Sequence, residues 1–280
     1  MTSSRMLFAG VPHTGKSSFL ALLNLGISLG TRVSLTLGSF SDDREYLNTL
    51  TAKLVSCEPA DRTHVSQNAG LNLSLRIADG QDISLAIPDL SGETWRDVLS
   101  ERVCADSLID DIEETDGICI FLHAGDFTTD PTIADVRRGA SALGDQDLDA
   151  DQDALQIYQD GAARSSQIDL VDLLQVLGDQ YAARSRRIAL VISAFDVVRN
   201  QSPEHWLTQN APLAAQYLHS NQGKVTARVY GLSAQGGRFD DKGELSDLRK
   251  QDPLTRAFVL DHDGTAVDID APIVWALGIA

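Results

Sequence analysis

Residues 10–17 read Gly-Val-Pro-His-Thr-Gly-Lys-Ser, a G-x-x-x-x-G-K-S spacing whose chemistry suits a chain of phosphates. Glycines let backbone N–H groups approach phosphate oxygens closely, and the dipole of a following helix adds attraction. Lys16 would reach the terminal phosphates, and the Ser17 hydroxyl could ligate Mg²⁺. The spacing therefore predicts a nucleoside triphosphate site. Its candidate contacts are Gly10, His13, Thr14, Gly15, Lys16, Ser17 and Ser18.

A second candidate group follows the apolar run 83–87. Asp89 supplies a carboxylate at the end of a predicted strand, where it would hold a water of the Mg²⁺ shell. Gly92, three residues further on, would offer its N–H to the γ-phosphate. An ordinary strand-ending turn is the alternative for this stretch taken alone, but a phosphate loop earlier in the chain favours the metal and phosphate interpretation.

To serve one site, these residues must follow strands that end at the same edge of a sheet. Residues 5–9 predict a buried strand, and a helix opens at Ser18. Runs 71–77 and 83–87 alternate and flank Asp79-Gly80, which indicates an antiparallel hairpin. Further strands are predicted at 117–122, 188–192 and 225–230, and helices at about 41–55, 95–114, 168–184 and 204–220. This alternation predicts an α/β fold with a mostly parallel sheet covered on both faces.

Composition narrows the class of protein. The chain has 280 residues, 23 basic and 40 acidic, for a net charge of −17, so we expect no nucleic-acid partner. Its three unpatterned cysteines favour reduced thiols and the cytoplasm. No run of eighteen apolar residues occurs, so membrane insertion is not expected. We predict one domain over 1–280, with an insertion at about 126–166 and a C-terminal extension at about 238–280.

Taken together, the motifs resemble those of the Ras-like P-loop GTPases of the translation-factor (TRAFAC) class, over residues 5 to about 237. The string Asp-Leu-Ser-Gly-Glu and the enlarged loops look, more narrowly, like the double-GTPase group of prokaryotic signalling and conflict operons. The resemblance implies a three-layer P-loop sandwich with one antiparallel hairpin strand, GTP as ligand and Mg²⁺ as cofactor. His13 replaces an asparagine that assists potassium in some relatives, which makes potassium activation doubtful.

The resemblance also assigns catalytic positions. Glu93 stands where Ras-like members carry a water-orienting glutamine, so we expect slow hydrolysis or a water-positioning group supplied from elsewhere. A Mg²⁺-ligating threonine is implied in the polar loop 58–70, and Thr63 is preferred to Ser66. Arg62 and Arg96 are either phosphate-facing arginines or solvated side chains.

Base recognition is implied after two later strands. Ser193-Ala194-Phe195-Asp196 matches the base-reading motif in its aspartate, which would accept hydrogen bonds from the guanine N1–H and amino group. Ala194 replaces the lysine that packs over the base, which weakens the match. Ser233-Ala234 resembles the loop whose alanine N–H binds the guanine carbonyl.

The sequence therefore predicts a cytoplasmic, Mg²⁺-dependent GTPase that acts as a molecular switch with a protein partner. One alternative is a nucleotide-binding regulatory module with little or no turnover, motivated by Glu93, Ala194 and the acidic insertion. Another is an ATP-using P-loop protein. The alternating aspartates 145–153 fail the calcium-loop spacing, because the sixth position is Ala150 and the twelfth is Gln156, so they predict a solvated loop.

Overall fold

A computed structural model describes residues 4–38, 44–59, 71–77, 80–87, 92–128, 165–180, 186–198, 200–239 and 242–279. In these residues a nine-stranded sheet has the order β2-β3-β4-β1-β5-β6-β7-β8-β9. The strands are β1 (Ser4–Ala9), β2 (Thr36–Leu37), β3 (Leu71–Arg76), β4 (Asp82–Ile87), β5 (Gly117–His123), β6 (Arg186–Ser193), β7 (Val225–Ser233), β8 (Phe258–Leu260) and β9 (Ala266–Val267).

The centre of the sheet is parallel and both edges are antiparallel. Strands β4, β1, β5, β6 and β7 pair in parallel, and β3 pairs antiparallel with β4 in the register Leu73↔Leu85. The sequence prediction of an α/β sandwich with a mostly parallel sheet and an antiparallel hairpin strand is confirmed. The structure adds β8 and β9, which extend the sheet antiparallel beyond β7.

Helices cover both faces of this sheet. They are α1 (Lys16–Leu29), α2 (Arg44–Ser56), α3 (Glu93–Glu101), α4 (Asp106–Glu114), α5 (Ser166–Gln175), α6 (Pro203–Asn210), α7 (Pro212–Ser220), α8 (Lys242–Leu248), α9 (Pro253–Arg256) and α10 (Ala271–Leu277). A π-helical turn, Val176–Gln180, continues α5. No helix among the described residues is both long and apolar enough to cross a bilayer.

Two apolar clusters hold the layers together. One packs α1, α2 and α10 against one face of the sheet, and the other packs α3 to α7 against the opposite face. The sequences of the central strands β5 and β6 are largely continuous apolar runs, because these strands are buried on both faces. Cys57, Cys104 and Cys119 are free thiols, and burial raises the pKa of Cys119 well above its ordinary value.

Two long helices predicted from periodicity are each divided in the structure. The run 95–114 breaks between α3 and α4, where Arg102 has a left-handed conformation (φ 55°). The run 204–220 breaks between α6 and α7 at Ala211, because Pro212 has no N–H to continue the helix. The tail after residue 238, predicted to be loop-rich, contains α8, α9, α10 and two strands.

Candidate nucleotide-binding site

The phosphate loop lies between the end of β1 and the start of α1. Gly10 (φ 142°) passes so close to β5 that an added Cβ would lie 2.7 Å from the Phe121 carbonyl oxygen. Gly15 (φ 91°) caps α1, and an added Cβ there would lie 2.6 Å from Ser193 Cβ. Only glycine fits both positions, so the loop is seated tightly over the ends of β5 and β6.

Lys16, the first residue of α1, is buried within this loop. Its Nζ donates hydrogen bonds to the carbonyl oxygens of Gly10 (2.6 Å) and Val11 (3.0 Å). Thr14 Oγ1 donates to the same Val11 oxygen at 2.8 Å, which closes the loop on itself. The positive charge of Lys16 and the N-terminus of α1 therefore face the same space, and both favour an anion there.

A cavity of about 860 Å³ extends from the phosphate loop across the ends of β5, β6 and β7. In the phosphate loop it is lined by Pro12, His13, Thr14, Gly15, Lys16, Ser17 and Ser18. Its wall also includes Asp196, after β6, and Ala234, after β7. Because β6 lies two strand spacings and β7 three strand spacings from β1, the ends of these strands are about 10 Å and about 14 Å from the phosphate loop. That span suits a ligand longer than a phosphate alone.

The group furthest from the phosphate loop is organised around the carboxylate of Asp196. Ser233 Oγ donates to Asp196 Oδ1 at 2.6 Å and accepts from the Gly236 N–H at 3.0 Å. Ala194 is held in a left-handed conformation (φ 51°) just before the 3-10 turn Phe195–Val197 that carries Asp196. Ser193, Asp196, Ser233 and Ala234, which the resemblance implied for base recognition, lie together at the cavity wall, where the Asp196 carboxylate is fixed in orientation.

Helix α3 meets the phosphate loop at its first residues. Gly92 (φ 84°) is its N-cap, and an added Cβ would lie 2.5 Å from the Val11 carbonyl carbon. Glu93 and Arg96, one helical turn apart, both line the cavity and both are exposed. Trp95, fully buried beside them, anchors the helix to the core. A carboxylate and a guanidinium therefore border the phosphate side of the cavity.

The metal-binding candidates divide between described and undescribed residues. Ser17 lines the cavity next to Lys16, and no described residue hydrogen-bonds to its hydroxyl, so this oxygen fits a Mg²⁺ ligand. Thr63 and Asp89, together with Arg62, Ser66 and the aspartates 145–153, lie outside the described residues.

Several cavity residues were not predicted from the sequence. His123 ends β5 beside the phosphate loop, and its Nδ1 accepts the Asp126 N–H at 3.2 Å. Phe239 and Arg238 line the wall after β7. His123 directly follows the apolar run 117–122 that predicted the strand, and this position was a usable signal, whereas no spacing rule marks Phe239.

Comparison with known proteins identifies relatives by sequence and by shape. The family model described as Double-GTPase 1 matches residues 7–276. No curated protein matches the chain. Among solved structures, the bacterial selenocysteine-specific elongation factor EF-Sec is 10% identical, with a TM-score of 0.35 over 89% of this chain and 28% of that chain.

Two further solved structures are similar. Era in complex with MgGDPNP and nucleotides of 16S ribosomal RNA is 16% identical, with a TM-score of 0.35 over 89% of this chain and 57% of that chain. The signal recognition particle receptor SRb-GTP/SRX complex from Chaetomium thermophilum is 15% identical, with a TM-score of 0.39, over 89% and 97%. The chain thus spans just over a quarter of EF-Sec (28%) and just over half of Era (57%).

Proposed function

The chain belongs to the Double-GTPase 1 family, and we propose that it is a Mg²⁺-dependent molecular switch that binds GTP and hydrolyses it to GDP and phosphate. The proposed setting is the cytoplasm, as the GTPase component of a bacterial signalling or conflict system with a protein effector. One observation carries the proposal: a single cavity is lined both by a phosphate loop and by the fixed carboxylate of Asp196. A nucleotide with a hydrogen-bonding base would contact both groups at once.

In the proposed mechanism, catalysis is positioning and charge stabilisation. Lys16 would bind the β- and γ-phosphates from its buried place in the loop, and the Gly92 N–H would bind the γ-phosphate. Glu93 would orient the attacking water, although its negative charge repels the γ-phosphate and keeps turnover slow. Arg96, one turn along α3 and also at the cavity wall, would offset that repulsion. Loss of the γ-phosphate would release the segments around Gly92 and Thr63, which changes the surface offered to a partner.

Mg²⁺ is the proposed cofactor. When bound, it would neutralise charge on the β- and γ-phosphate oxygens. The Ser17 hydroxyl would hold it directly, Thr63 would add a second hydroxyl in the triphosphate state, and Asp89 would hold one of its waters. Omission of Mg²⁺ should therefore weaken GTP binding.

Isothermal titration with GTP, GDP and ATP, with and without Mg²⁺, tests the proposal. Lys16→Ala should weaken GTP binding at least about a hundredfold, because it removes a charge-assisted contact to the phosphates. Lys250→Ala is the matched control, since Lys250 is exposed and pairs with Asp247 away from the cavity. Undiminished GTP affinity in Lys16→Ala, or no nucleotide affinity in the wild-type protein, would contradict the proposal.

A second candidate function is a nucleotide-binding regulatory module with little or no turnover. The exposed carboxylate of Glu93 at the phosphate side of the cavity favours it, because this charge opposes the approach of a γ-phosphate. Multiple-turnover phosphate release, measured with the protein alone and with fractionated cell extract, separates the two functions. Tight GTP binding with no stimulated release under any condition would favour the module.

An ATP-using protein is the remaining alternative, and the proposed role of Asp196 argues against it. An ionised carboxylate can only accept hydrogen bonds, so it needs a base edge that donates. Guanine would donate from N1–H and its amino group, but the equivalent edge of adenine has neither donor. Competition of ATP against bound GDP gives the answer directly. A preference for ATP would overturn the role proposed for Asp196.

A further inference from the structure

Phe239 is placed unlike the other described phenylalanines. Each of the other six lies in, or packs against, one of the two apolar clusters of the core, whereas Phe239 belongs to neither. The six are Phe8, Phe19, Phe121, Phe127, Phe195 and Phe258. Phe239 is instead half-buried and lines the nucleotide cavity. Among the described residues, the ring of Phe239 thus belongs to neither apolar cluster and lies at the cavity wall, where a ligand could contact it.

Contacts with α8 and with Arg256 fix the backbone directly before Phe239. The Arg238 N–H donates to Glu244 Oε1 of α8 at 3.1 Å, and an added Cβ at Gly237 would lie 2.3 Å from the same oxygen. One residue earlier, an added Cβ at Gly236 (φ 79°) would lie 2.6 Å from the Arg256 carbonyl oxygen. These contacts fix the backbone of residues 236–238, directly before Phe239. None of them uses the ring of Phe239.

The surroundings of Phe239 suit a flat heterocycle. Asp196, Ala194 and Ala234 line the same cavity, and the Asp196 carboxylate is the hydrogen-bonding group of this region. Ala194 is too short to cover the face of a base, and Val197, also at the wall, is 41% exposed. An aromatic ring and an aliphatic side chain that line the same cavity as a fixed acceptor could contact the faces of a purine while its edge reaches the carboxylate.

We propose that Phe239, at the start of the C-terminal extension, is the residue on which the base of the bound nucleotide stacks. This inference rests on the proposed function and adds to it a base-binding residue outside the sequence motifs. Stacking of a base on an aromatic side chain contributes roughly 1–3 kcal/mol, so Phe239 would hold the nucleotide about ten- to a hundredfold more tightly than alanine.

The test compares GDP binding to Phe239→Ala, Phe239→Leu and Phe239→Trp by titration calorimetry in the presence of Mg²⁺. Phe239→Ala and Phe239→Leu should raise the Kd for GDP at least about tenfold, because leucine keeps the apolar volume but not the flat ring. Phe239→Trp should keep the affinity, and its added fluorescence should be quenched by GDP. Leu213→Ala, an exposed apolar side chain on α7, is the matched control and should bind GDP as the wild type does.

Inorganic tripolyphosphate, used as a competitor without a base, distinguishes stacking from damage to the phosphate loop. Its affinity should be equal in the wild type and in Phe239→Ala. If Phe239→Ala binds GDP within twofold of the wild-type affinity, the stacking role alone is overturned. The same follows if Phe239→Ala loses affinity for GDP and for tripolyphosphate equally. Absence of GDP binding in the wild type would overturn the proposed function and the stacking role together.

Discussion

At the scale of single residues, the hydrogen bond from Ser233 to Asp196 fixes the carboxylate that we propose reads the base. Ser233 donates to Oδ1, so this oxygen is fixed and the carboxylate is held in one orientation at the cavity wall. A guanine would donate its N1–H and amino group to that carboxylate. The two carboxylate oxygens of Asp196 accept hydrogen bonds, so they complement the two guanine donors.

Asp196→Asn should therefore exchange the preferred base. The Asn carbonyl oxygen would keep the Ser233 hydrogen bond, and its NH₂ group would face the two guanine donors. GDP affinity should fall at least about a hundredfold, because opposed donors are left unsatisfied. Xanthosine diphosphate, whose base carries a carbonyl in place of the amino group, should bind better than GDP.

Calorimetric Kd values for the two diphosphates measure this exchange. Asp126→Asn is the control, since Asp126 also lines the cavity but pairs with His123 rather than Ser233. Equal loss of GDP and xanthosine diphosphate affinity in Asp196→Asn would contradict direct base reading. If Asp126→Asn also came to prefer xanthosine diphosphate over GDP, the loss of one negative charge from the cavity would explain the change without direct base reading.

The family resemblance implied that Asp196, Ser233 and Ala234 serve one site, and they lie together because parallel strands bring their carboxyl ends to one edge. It did not predict the hydrogen bond from Ser233 to Asp196. It could not predict Phe239. That side chain reaches the cavity through contacts of Gly236, Gly237 and Arg238 with residues up to twenty positions later, and no local pattern encodes them.

At the scale of secondary-structure elements, the start of α3 packs directly against the phosphate loop. The N-cap of α3 has no room for a side chain, because an added Cβ at Gly92 would lie 2.5–2.7 Å from the loop backbone. We therefore expect movement of α3 to be coupled to occupancy of the phosphate loop. Such coupling would be the physical basis for the proposed γ-phosphate-dependent change.

Gly92→Ala tests that coupling. The methyl group should displace the start of α3 from the loop, so GTP turnover should fall at least about tenfold while GDP remains bound. Gly80→Ala is matched in backbone strain, since Gly80 also has a positive φ (92°), but nothing lies within 4 Å of an added Cβ. Turnover in Gly80→Ala should match the wild type. Equal turnover in Gly92→Ala and the wild type would show that α3 does not need this contact.

Element boundaries show where periodicity fails as a guide. The apolar spacing of 95–114 continues through the break between α3 and α4, so the pattern predicted one helix and placed Val103 on its apolar face. Val103 is 64% exposed in the connection. Pro212 was a readable break in 204–220, because proline cannot donate within a helix, and it marks the first residue of α7.

At the scale of the whole molecule, the C-terminal extension is part of the fold. β8 pairs with β7, and α10 packs on the core beside α1. Its elements have two to seven residues each, too short for a clear period, which is why the sequence predicted loops there. The extension thereby brings residues 237–239 to the nucleotide cavity.

Arg256 links this extension to the rest of the molecule. It is 6% exposed, and its guanidinium donates to the carbonyl oxygens of Leu248, the last residue of α8, and Leu54, in the last turn of α2, both at 2.7 Å. Helix C-terminal carbonyls carry partial negative charge and have no partner within their own helix. The same two oxygens also accept the N–H groups of Cys57 and Gln251, so Arg256 adds a charged donor to each helix end. Its own carbonyl packs against the backbone of Gly236.

Arg256→Ala should lower the free energy of unfolding by about 3 kcal/mol, since two buried carbonyls lose charged donors. Arg256→Lys should recover only part of it, because an ammonium cannot match the planar fork that reaches both oxygens. Arg249→Ala is the control: its Nε donates to Ser56, also at the end of α2, but at 3.4 Å on the exposed surface, so a loss below about 0.5 kcal/mol is expected. Denaturant unfolding of the three variants measures this, and equal losses for Arg256→Ala and Arg249→Ala would contradict the linking role of Arg256.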